Sequence, residues 1–236
     1  MLFSSVTFWV RTQPKVILTT RLDSPRAAGI DGYVNPEVFV KVLVVYAHPI
    51  PTSFNASILD SVKSGLSKAG HDVRVTDLYA ENFQPVLSTQ DRADYLEDTD
   101  KLIAKVPEHV ANLRWAEALV FVFPMWYYGP PAILKGWLER VWLPGVTFLP
   151  ATQAGQTTPS CIRHIKRLVV VTTSGSPAWW LFVIGNPCKR LFMRGLRVLF
   201  DFRCKSTWLQ LYDMNVVSRE NCVQFLKKVE RRMEKL

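Results

Sequence analysis

Five segments with the pattern of β-strands, separated by helical segments, organise the chain from Lys41 onward. The first, Val42–Tyr46, is a continuous apolar run, which is typical of a parallel strand buried on both faces. Further strands are predicted at residues 71–78, 118–123, 167–173 and 207–212. Strands that alternate with helices predict an α/β fold, in which a doubly wound five-stranded parallel sheet lies between two layers of helices.

Helical patterns fill the intervals between these strands. The first predicted helix, residues 55–69, has one apolar stripe and is followed by Gly70, a typical C-terminal cap. Other helices are predicted at residues 107–115, 132–142, 186–200 and 218–236. The stretch from Glu81 to about Lys101 is polar, and we interpret it as a connection.

Residues 1–38 show no sustained helical or strand period. Asp23, Asp31 and Glu37 argue against an organelle-targeting peptide. We expect a disordered N-terminal extension over residues 1–38 and one domain over residues 39–236.

The net charge of +9 is unevenly distributed. Residues 1–160 carry 14 Lys and Arg against 15 Asp and Glu, whereas residues 161–236 carry 15 against 5. Such a basic segment attracts an anionic dinucleotide or an anionic membrane surface, or it reflects solvated helix faces. A peripheral membrane contact therefore stays open. No nucleic-acid-binding motif accompanies the charge, so a nucleic-acid partner is not expected.

The four cysteines are widely spaced, with no CxxC pair and no cluster of histidines. Neither a metal site nor a disulfide framework is predicted, and free thiols favour a cytoplasmic location. No apolar run approaches the roughly 18 residues that a transmembrane helix needs.

The loop after the first strand, residues 47–55, brings hydroxyl and amide side chains to the start of a helix. Free N–H groups at such a position favour a phosphate. Alternatively, Ser53 and Asn55 only cap the helix. The motifs GxxxxGK[ST] and GxGxxG are absent, which disfavours ATP hydrolysis and Rossmann-type dinucleotide binding.

The loop after the third strand, residues 124–131, contains three consecutive aromatic residues. A turn cannot bury all three against its own sheet, so a planar ring could stack there. The alternatives are packing under the next helix or a subunit contact.

The loop after the fourth strand, residues 172–180, begins with small residues that allow a ligand to approach the backbone. Its N–H groups could bind the carbonyl oxygens of a ring such as isoalloxazine, and Trp179 and Trp180 could form a lid. A plain strand-to-helix turn is the alternative.

Several motifs, in this order, resemble the NAD(P)H:quinone oxidoreductase (DT-diaphorase) family of flavodoxin-like flavoenzymes over roughly Lys41 to Leu236. The matching segments are Ala47-His48 with Thr52-Ser53-Phe54-Asn55, Asp77-Leu78-Tyr79-Ala80 with Asn82-Phe83, Phe123-Pro124 through Gly129, and Pro131-Ala132-Ile133-Leu134-Lys135-Gly136-Trp137 with Glu139-Arg140-Val141.

The resemblance implies a flavodoxin-like fold, a bound FAD or alternatively FMN, and NAD(P)H as hydride donor. It also implies two-electron transfer to a quinone or similar aromatic acceptor, and a homodimer with the active site at its interface. The implied cofactor-binding residues are His48, Thr52, Ser53, Phe54, Asn55, Pro124, Met125, Trp126, Tyr127, Thr172, Thr173, Ser174 and Gly175. The implied substrate-binding residues are Tyr128, Phe148, Trp179 and Trp180, and no catalytic residue is assigned.

The sequence departs from the family at one pair of positions. The animal-type enzymes carry a Tyr and a His after the loop of the fourth strand, where this chain has Trp180 and Asn186. An indole N–H donates a hydrogen bond but cannot take up a proton. The missing pair and the basic last third keep open the alternative of a non-catalytic regulatory subunit that binds flavin or nicotinamide. A one-electron carrier of the flavodoxin type is a second, independent alternative.

Overall fold

The structure, a computed structural model, describes residues 39–236. One parallel sheet has the strand order β2-β1-β3-β4-β5. The strands are β1 (Lys41–Tyr46), β2 (Asp72–Asp77), β3 (Ala118–Pro124), β4 (Arg167–Thr173) and β5 (Lys205–Leu211). The predicted five-stranded α/β fold is confirmed, whereas the predicted extension over residues 1–38 lies outside the described residues.

Four helices agree with the predictions: α1 (Phe54–Lys68), α4 (Pro107–Trp115), α5 (Ala132–Val141) and α8 (Arg219–Met233). The interpretation of residues 81–101 as a plain connection is wrong, because α2 (Thr89–Glu97) and α3 (Thr99–Ile103) lie there. The predicted helix over residues 186–200 is found as a continuous run of helical turns from Pro187 to Leu199, whose hydrogen-bond pattern changes along its length. The segment after β4 contains α6 (Ala178–Val183), α7 (Pro187–Arg190), a π-helical turn (Leu191–Leu196) and a 3-10 turn (Arg197–Leu199).

Each face of the sheet carries its own apolar core. Alternate residues of a strand point to opposite faces, so β1 contributes to both. On one face Phe121 packs against Trp137 of α5 and Phe192 of the π-helical turn. On the other face Ile58 of α1 and Val229 of α8 are fully buried. The sheet is therefore the middle layer of three.

No helix within residues 39–236 is long and apolar enough to cross a membrane. All four cysteines carry free thiols. Burial raises the pKa of the Cys188 thiol to about 12, so this thiol stays protonated at neutral pH.

The polar helix α2 is stabilised by its N-terminus rather than by an apolar stripe. Ser88 and Asp91 form a capping box, in which the Ser88 hydroxyl accepts from the Asp91 N–H and the Asp91 carboxylate accepts from the Ser88 N–H. Lys105 also donates to the buried Asp91 carboxylate. Its ammonium group, together with the Ser88 N–H, lowers the pKa of Asp91 to about 2.

Substitution Asp91→Asn should lower the free energy of unfolding at pH 7 by about 1–2 kcal/mol, because a charged hydrogen bond is lost from a buried position. The pKa of Asp91 is lower in the folded chain than its ordinary value of 3.8. The stabilisation is therefore complete above about pH 4 and is lost as the pH falls through about 2. Urea unfolding at pH 7 and pH 3 should give a smaller difference between the two proteins at pH 3.

The matched control is Asp98→Asn, whose exposed carboxylate pairs with Lys101 at 3.1 Å. It should change the free energy of unfolding by less than about 0.5 kcal/mol. An Asp91→Asn effect that is equal at both pH values would contradict the assignment.

Candidate functional site

The sheet brings the three loops singled out in the sequence to one edge. Tyr46 at the end of β1 lies beside Val122 of β3, and Pro124 at the end of β3 lies beside Thr173 at the end of β4. Parallel strands share the direction of their carboxyl ends, so the loops that follow them emerge together.

The first loop ends at the N-terminus of α1. The Ser53 hydroxyl caps this helix by accepting from the Ala56 N–H at 3.2 Å, as the capping alternative required. The Phe54 ring packs near Phe225, with the ring centroids 6.5 Å apart. The N–H groups of Phe54 and Asn55 have no acceptor among the described residues. The loop therefore offers backbone donors at a helix N-terminus, where an anion is stabilised.

Asn55 links the first loop to the third. Its side chain is 5% exposed, and its Nδ2 donates to Thr173 Oγ1 at 3.3 Å. Its Oδ1 has no hydrogen-bond partner among the described residues. A buried acceptor without a donor costs about 1–3 kcal/mol, so this atom indicates a place for a donor group of a ligand.

The imidazole of His48 lies against the backbone of Ile50. Its Nδ1 is 3.1 Å from the Ile50 nitrogen and 3.2 Å from the Ile50 carbonyl oxygen. The ring centroid lies 6.2 Å from that of Trp126 in the second loop. Thr52 of the same loop is exposed.

The second loop is a two-residue β-turn with both central residues in the left-handed region. Trp126 and Gly129 exchange backbone hydrogen bonds of 3.0 and 2.9 Å, and Tyr127 and Tyr128 have φ of 46° and 63°. Glycine and asparagine usually occupy these positions of a type I′ turn. Tyrosine there stores backbone strain of about 1–2 kcal/mol per residue, a feature typical of functional sites.

All three aromatic side chains of this turn are exposed, as the sequence predicts. Trp126 is 42% exposed, Tyr127 fully exposed and Tyr128 38% exposed. In contrast, Met125 is buried, and its N–H donates to the Thr173 carbonyl at 2.8 Å. The base of the turn is therefore fixed to β4 while its tip is open to a ligand.

A side-chain hydrogen bond joins the second loop to the third. Trp180 Nε1 donates to the Tyr128 hydroxyl at 3.0 Å. The indole of Trp179 meets that of Trp180 edge to face, with the centroids 5.6 Å apart. The indole N–H can only donate, so the Tyr128 oxygen accepts and its own hydrogen is available to another acceptor.

The third loop combines a buried beginning with free backbone donors. Thr172, Thr173 and Ser174 are buried. The N–H groups of Gly175 and Ser176 have no acceptor among the described residues. These donors suit the carbonyl oxygens of a ring that approaches the backbone at glycine.

A depression of about 240 Å³ lies between the second and third loops. Its lining residues are Met125, Tyr127, Tyr128, Ser174, Gly175 and Ser176. Most of these residues were predicted to bind a cofactor or a substrate. Within residues 39–236 no group of three or more His, Cys, Asp and Glu residues is arranged to hold a metal ion.

One predicted residue lies in a different environment. Phe148 is half-buried, and its backbone pairs with Pro144 and Ser160 rather than with the three loops. Its assignment to the substrate stays a prediction.

The sequence interpretation did not include the loop after β5. Gln210 Nε2 donates to Ser174 Oγ at 3.1 Å, and the Met214 N–H donates to the Ser174 carbonyl at 3.1 Å. Asn215 lies so close that a Cβ on Gly175 would be 3.3 Å from its Nδ2. The sequence could have indicated this loop, because the carboxyl end of a fifth parallel strand must reach the same edge of the sheet as the other three.

Residues 40–191 match the family model described as "Flavodoxin-like fold". The chain is 34% identical over 151 residues to NAD(P)H dehydrogenase [quinone] 1 of Rattus norvegicus, covering 58% of this chain and 54% of that one. It is 34% identical over 169 residues to ribosyldihydronicotinamide dehydrogenase [quinone] of Homo sapiens, covering 65% and 71%. The solved NAD(P)H:quinone oxidoreductase from Methanothermobacter marburgensis superposes with a TM-score of 0.67 at 28% identity, covering 84% and 96%.

The chain spans about half the length of the rat protein and of other curated relatives that it matches.

The strained turn generates a stability prediction. Tyr127→Asn should raise the free energy of unfolding by about 1 kcal/mol, because asparagine tolerates the left-handed conformation and the exposed Tyr127 ring gives up no packing. Tyr127→Phe is the control, since it keeps both the strain and the exposed ring, and it should leave stability unchanged. Equal stability of the two variants in urea unfolding would show that the turn is not strained.

Proposed function

The chain belongs to the flavodoxin-like fold family, and on this basis we propose that it is a flavin-dependent NAD(P)H oxidoreductase that passes two electrons to a quinone or similar aromatic acceptor. One observation carries the proposal. Free backbone donors, an unpaired buried Asn55 oxygen and exposed aromatic rings converge at the carboxyl edge of the sheet. These are the groups that a phosphate, a ribityl chain and a flat ring require.

The first loop would hold the phosphate end of the flavin. The N–H groups of Phe54 and Asn55 and the Thr52 hydroxyl are the donors, and Asn55 Oδ1 would accept from a ribityl hydroxyl. His48 lies at the same end, in the loop that precedes α1. We propose FAD as the cofactor, with FMN as the alternative.

The second and third loops would hold the ring. Pro124 and Met125 support it from the strand end, Trp126 and Tyr127 flank it, and Gly175 contributes its N–H to a ring carbonyl. When bound, the flavin supplies the redox chemistry, accepting hydride from the donor and delivering two electrons to the acceptor. The protein contributes orientation and charge stabilisation.

The acceptor would bind beside Tyr128, Trp179 and Trp180. Because Trp180 donates to the Tyr128 oxygen, the phenolic hydrogen is free to donate to an oxygen of the acceptor. Trp180 itself cannot exchange a proton, so Tyr128 is the group that we propose to orient the acceptor.

The names of the relatives support a quinone acceptor and a reduced nicotinamide donor, since the rat, human and archaeal proteins are all named as quinone-linked oxidoreductases. The basic region and the exposed aromatic residues favour an enzyme over a flavodoxin-type carrier. A cytoplasmic location stays a prediction.

We further propose that two copies of the chain associate at this edge. The depression of about 240 Å³ is smaller than the roughly 300–1,000 Å³ of a typical ligand pocket. A second chain would supply the missing wall and cover the exposed Tyr127 ring. Light scattering of the purified protein distinguishes a dimer from a monomer.

The central test is the absorbance spectrum of the purified protein before and after anaerobic addition of NADPH. Bands near roughly 375 and 450 nm that bleach in one two-electron step are expected for the oxidoreductase. Bleaching through two one-electron steps would favour the carrier. Bound flavin without turnover of any soluble acceptor would favour the regulatory subunit, and a colourless protein after incubation with FAD and FMN would remove the proposal.

Substitution Tyr128→Ala should raise the KM for a quinone about tenfold, while the dissociation constant of the flavin changes less than about threefold, because one hydrogen bond and one ring face are lost. Tyr128→Phe keeps the ring and removes only the hydroxyl, so it separates stacking from hydrogen bonding. Steady-state kinetics and flavin titration are the measurements. Equal losses of acceptor and flavin binding would show that Tyr128 belongs to the flavin site instead.

A further inference from the structure

A cavity of about 690 Å³ opens beside α6 and α7, outside the depression described above. We call it the basic groove and define it by the residues Phe182, Lys189, Arg190, Met193, Arg194 and Tyr212. Three of these side chains are apolar or aromatic, and three are cationic. Its size falls within the range of cavities that bind small molecules.

Within residues 39–236 the three cations of the groove have no acidic partner. No carboxylate in the described part of the chain forms an ion pair with Lys189, Arg190 or Arg194. Like charges close together on one segment destabilise it. An anion in the groove would remove this repulsion.

The backbone that presents these cations is irregular. Gly185 and Asn186 have φ of 78° and 43°, and residues Leu191–Leu196 form a π-helical turn. Arg194 lies in this turn, Lys189 and Arg190 come directly before it in α7, and all three line the groove. Such turns occur frequently at functional sites.

The basic groove lies next to the depression between the second and third loops. Ser176 lines the depression and Ala178 lines the groove. Two residues of chain span at most about 7 Å between Cα atoms. The linings of the two cavities therefore approach within about 7 Å at this point, a distance that an elongated ligand can bridge.

We propose that the basic groove binds the phosphate-bearing adenosine half of the NAD(P)H donor, whose nicotinamide half reaches the depression. This inference rests on the proposed function. Guanidinium groups bind phosphate oxygens through paired hydrogen bonds, so Arg190 and Arg194 suit the phosphates. Phe182 and Tyr212 offer aromatic surface to the adenine.

The proposal assigns the class of donor. A dihydronicotinamide riboside carries no phosphate and no adenine, so it makes no contact in the groove. The human relative is named for a ribosyldihydronicotinamide. In this chain the unpaired cations favour the complete dinucleotide.

The test compares two variants of equal charge in the full-length protein. The groove variant combines Arg190→Gln with Arg194→Gln. The control variant combines Lys227→Gln with Lys228→Gln, two exposed residues of α8, a helix that packs on the opposite face of the sheet from the π-helical turn. Both variants lose two positive charges, so a general electrostatic effect should appear in both.

The first measurement is calorimetric titration with ADP, which needs no flavin and no turnover. The groove variant should bind ADP at least about tenfold more weakly than the wild type, since two charge-assisted contacts are lost. The control variant should change by less than about twofold. Equal ADP affinity in all three proteins would overturn the proposal.

The second measurement is the rate of flavin reduction by NADPH and by dihydronicotinamide riboside. The groove variant should need about tenfold more NADPH for half-maximal rate, with the riboside unaffected. Equal changes for both donors would contradict the groove assignment. Loss of binding to phosphatidylserine vesicles with unchanged ADP affinity would also contradict it, and would make the groove a lipid contact.

The two measurements separate the inference from the proposed function. If ADP binding depends on the groove but neither donor reduces a flavin, the nucleotide site stands and the oxidoreductase function falls. If both donors reduce the flavin but the groove variant binds ADP as tightly as the wild type, the oxidoreductase function is supported and the nucleotide site in the groove is contradicted.

Discussion

The candidate site depends on the parallel pairing of β1, β3 and β4. Every residue of β3 is buried, and β1 is buried after Lys41. A strand buried on both faces cannot slip along its neighbour without exchanging its packed side chains, so the register is fixed. The fixed register sets the three strand ends at one level, and Pro124, which has no N–H, ends β3 directly beside Thr173.

A rigid base allows the loops to hold conformations that they would not adopt alone. Tyr127 and Tyr128 occupy positions of a type I′ turn at which a side chain is strained. The turn is held below by the bond from the Met125 N–H to the Thr173 carbonyl and at its tip by Trp180. Tyrosine at these two strained positions puts aromatic rings at the opening of the site. Glycine or asparagine would relieve the strain but would provide no ring there.

The sequence predicts the sheet well because a continuous apolar run of about five to seven residues fits a buried parallel strand and is too short to form a transmembrane helix. It also identifies the three loops, since parallel strands must send their carboxyl ends to one edge. It misses α2, because a capping box and the Asp91–Lys105 pair stabilise that helix in place of an apolar stripe. The hydrogen bond between Trp180 and Tyr128 joins residues that are 52 positions apart in the sequence, so no local sequence pattern could predict it.

The boundary between α6 and α7 has a more local cause. Gly185-Asn186-Pro187 combines two residues that accept positive φ with one that cannot continue a helix, so α6 ends there and α7 begins with Asn186 as its cap. The turns after this point follow one another without a gap from Pro187 to Leu199, as the predicted helix over residues 186–200 required, although their hydrogen-bond pattern changes from α to π and then to 3-10.

The excess of basic residues in the last third of the chain has two different structural origins. In α8, Phe225, Val229 and Met233 are buried, while Lys227, Lys228 and Arg231 are exposed. This is the solvated face of an amphipathic helix, and it needs no ligand. Lys189, Arg190 and Arg194 are also exposed, but they line a cavity together with Phe182, Met193 and Tyr212. Net charge could not distinguish these cases, because it counts both sets alike, whereas the concavity around one of them is what supports the proposed anion site.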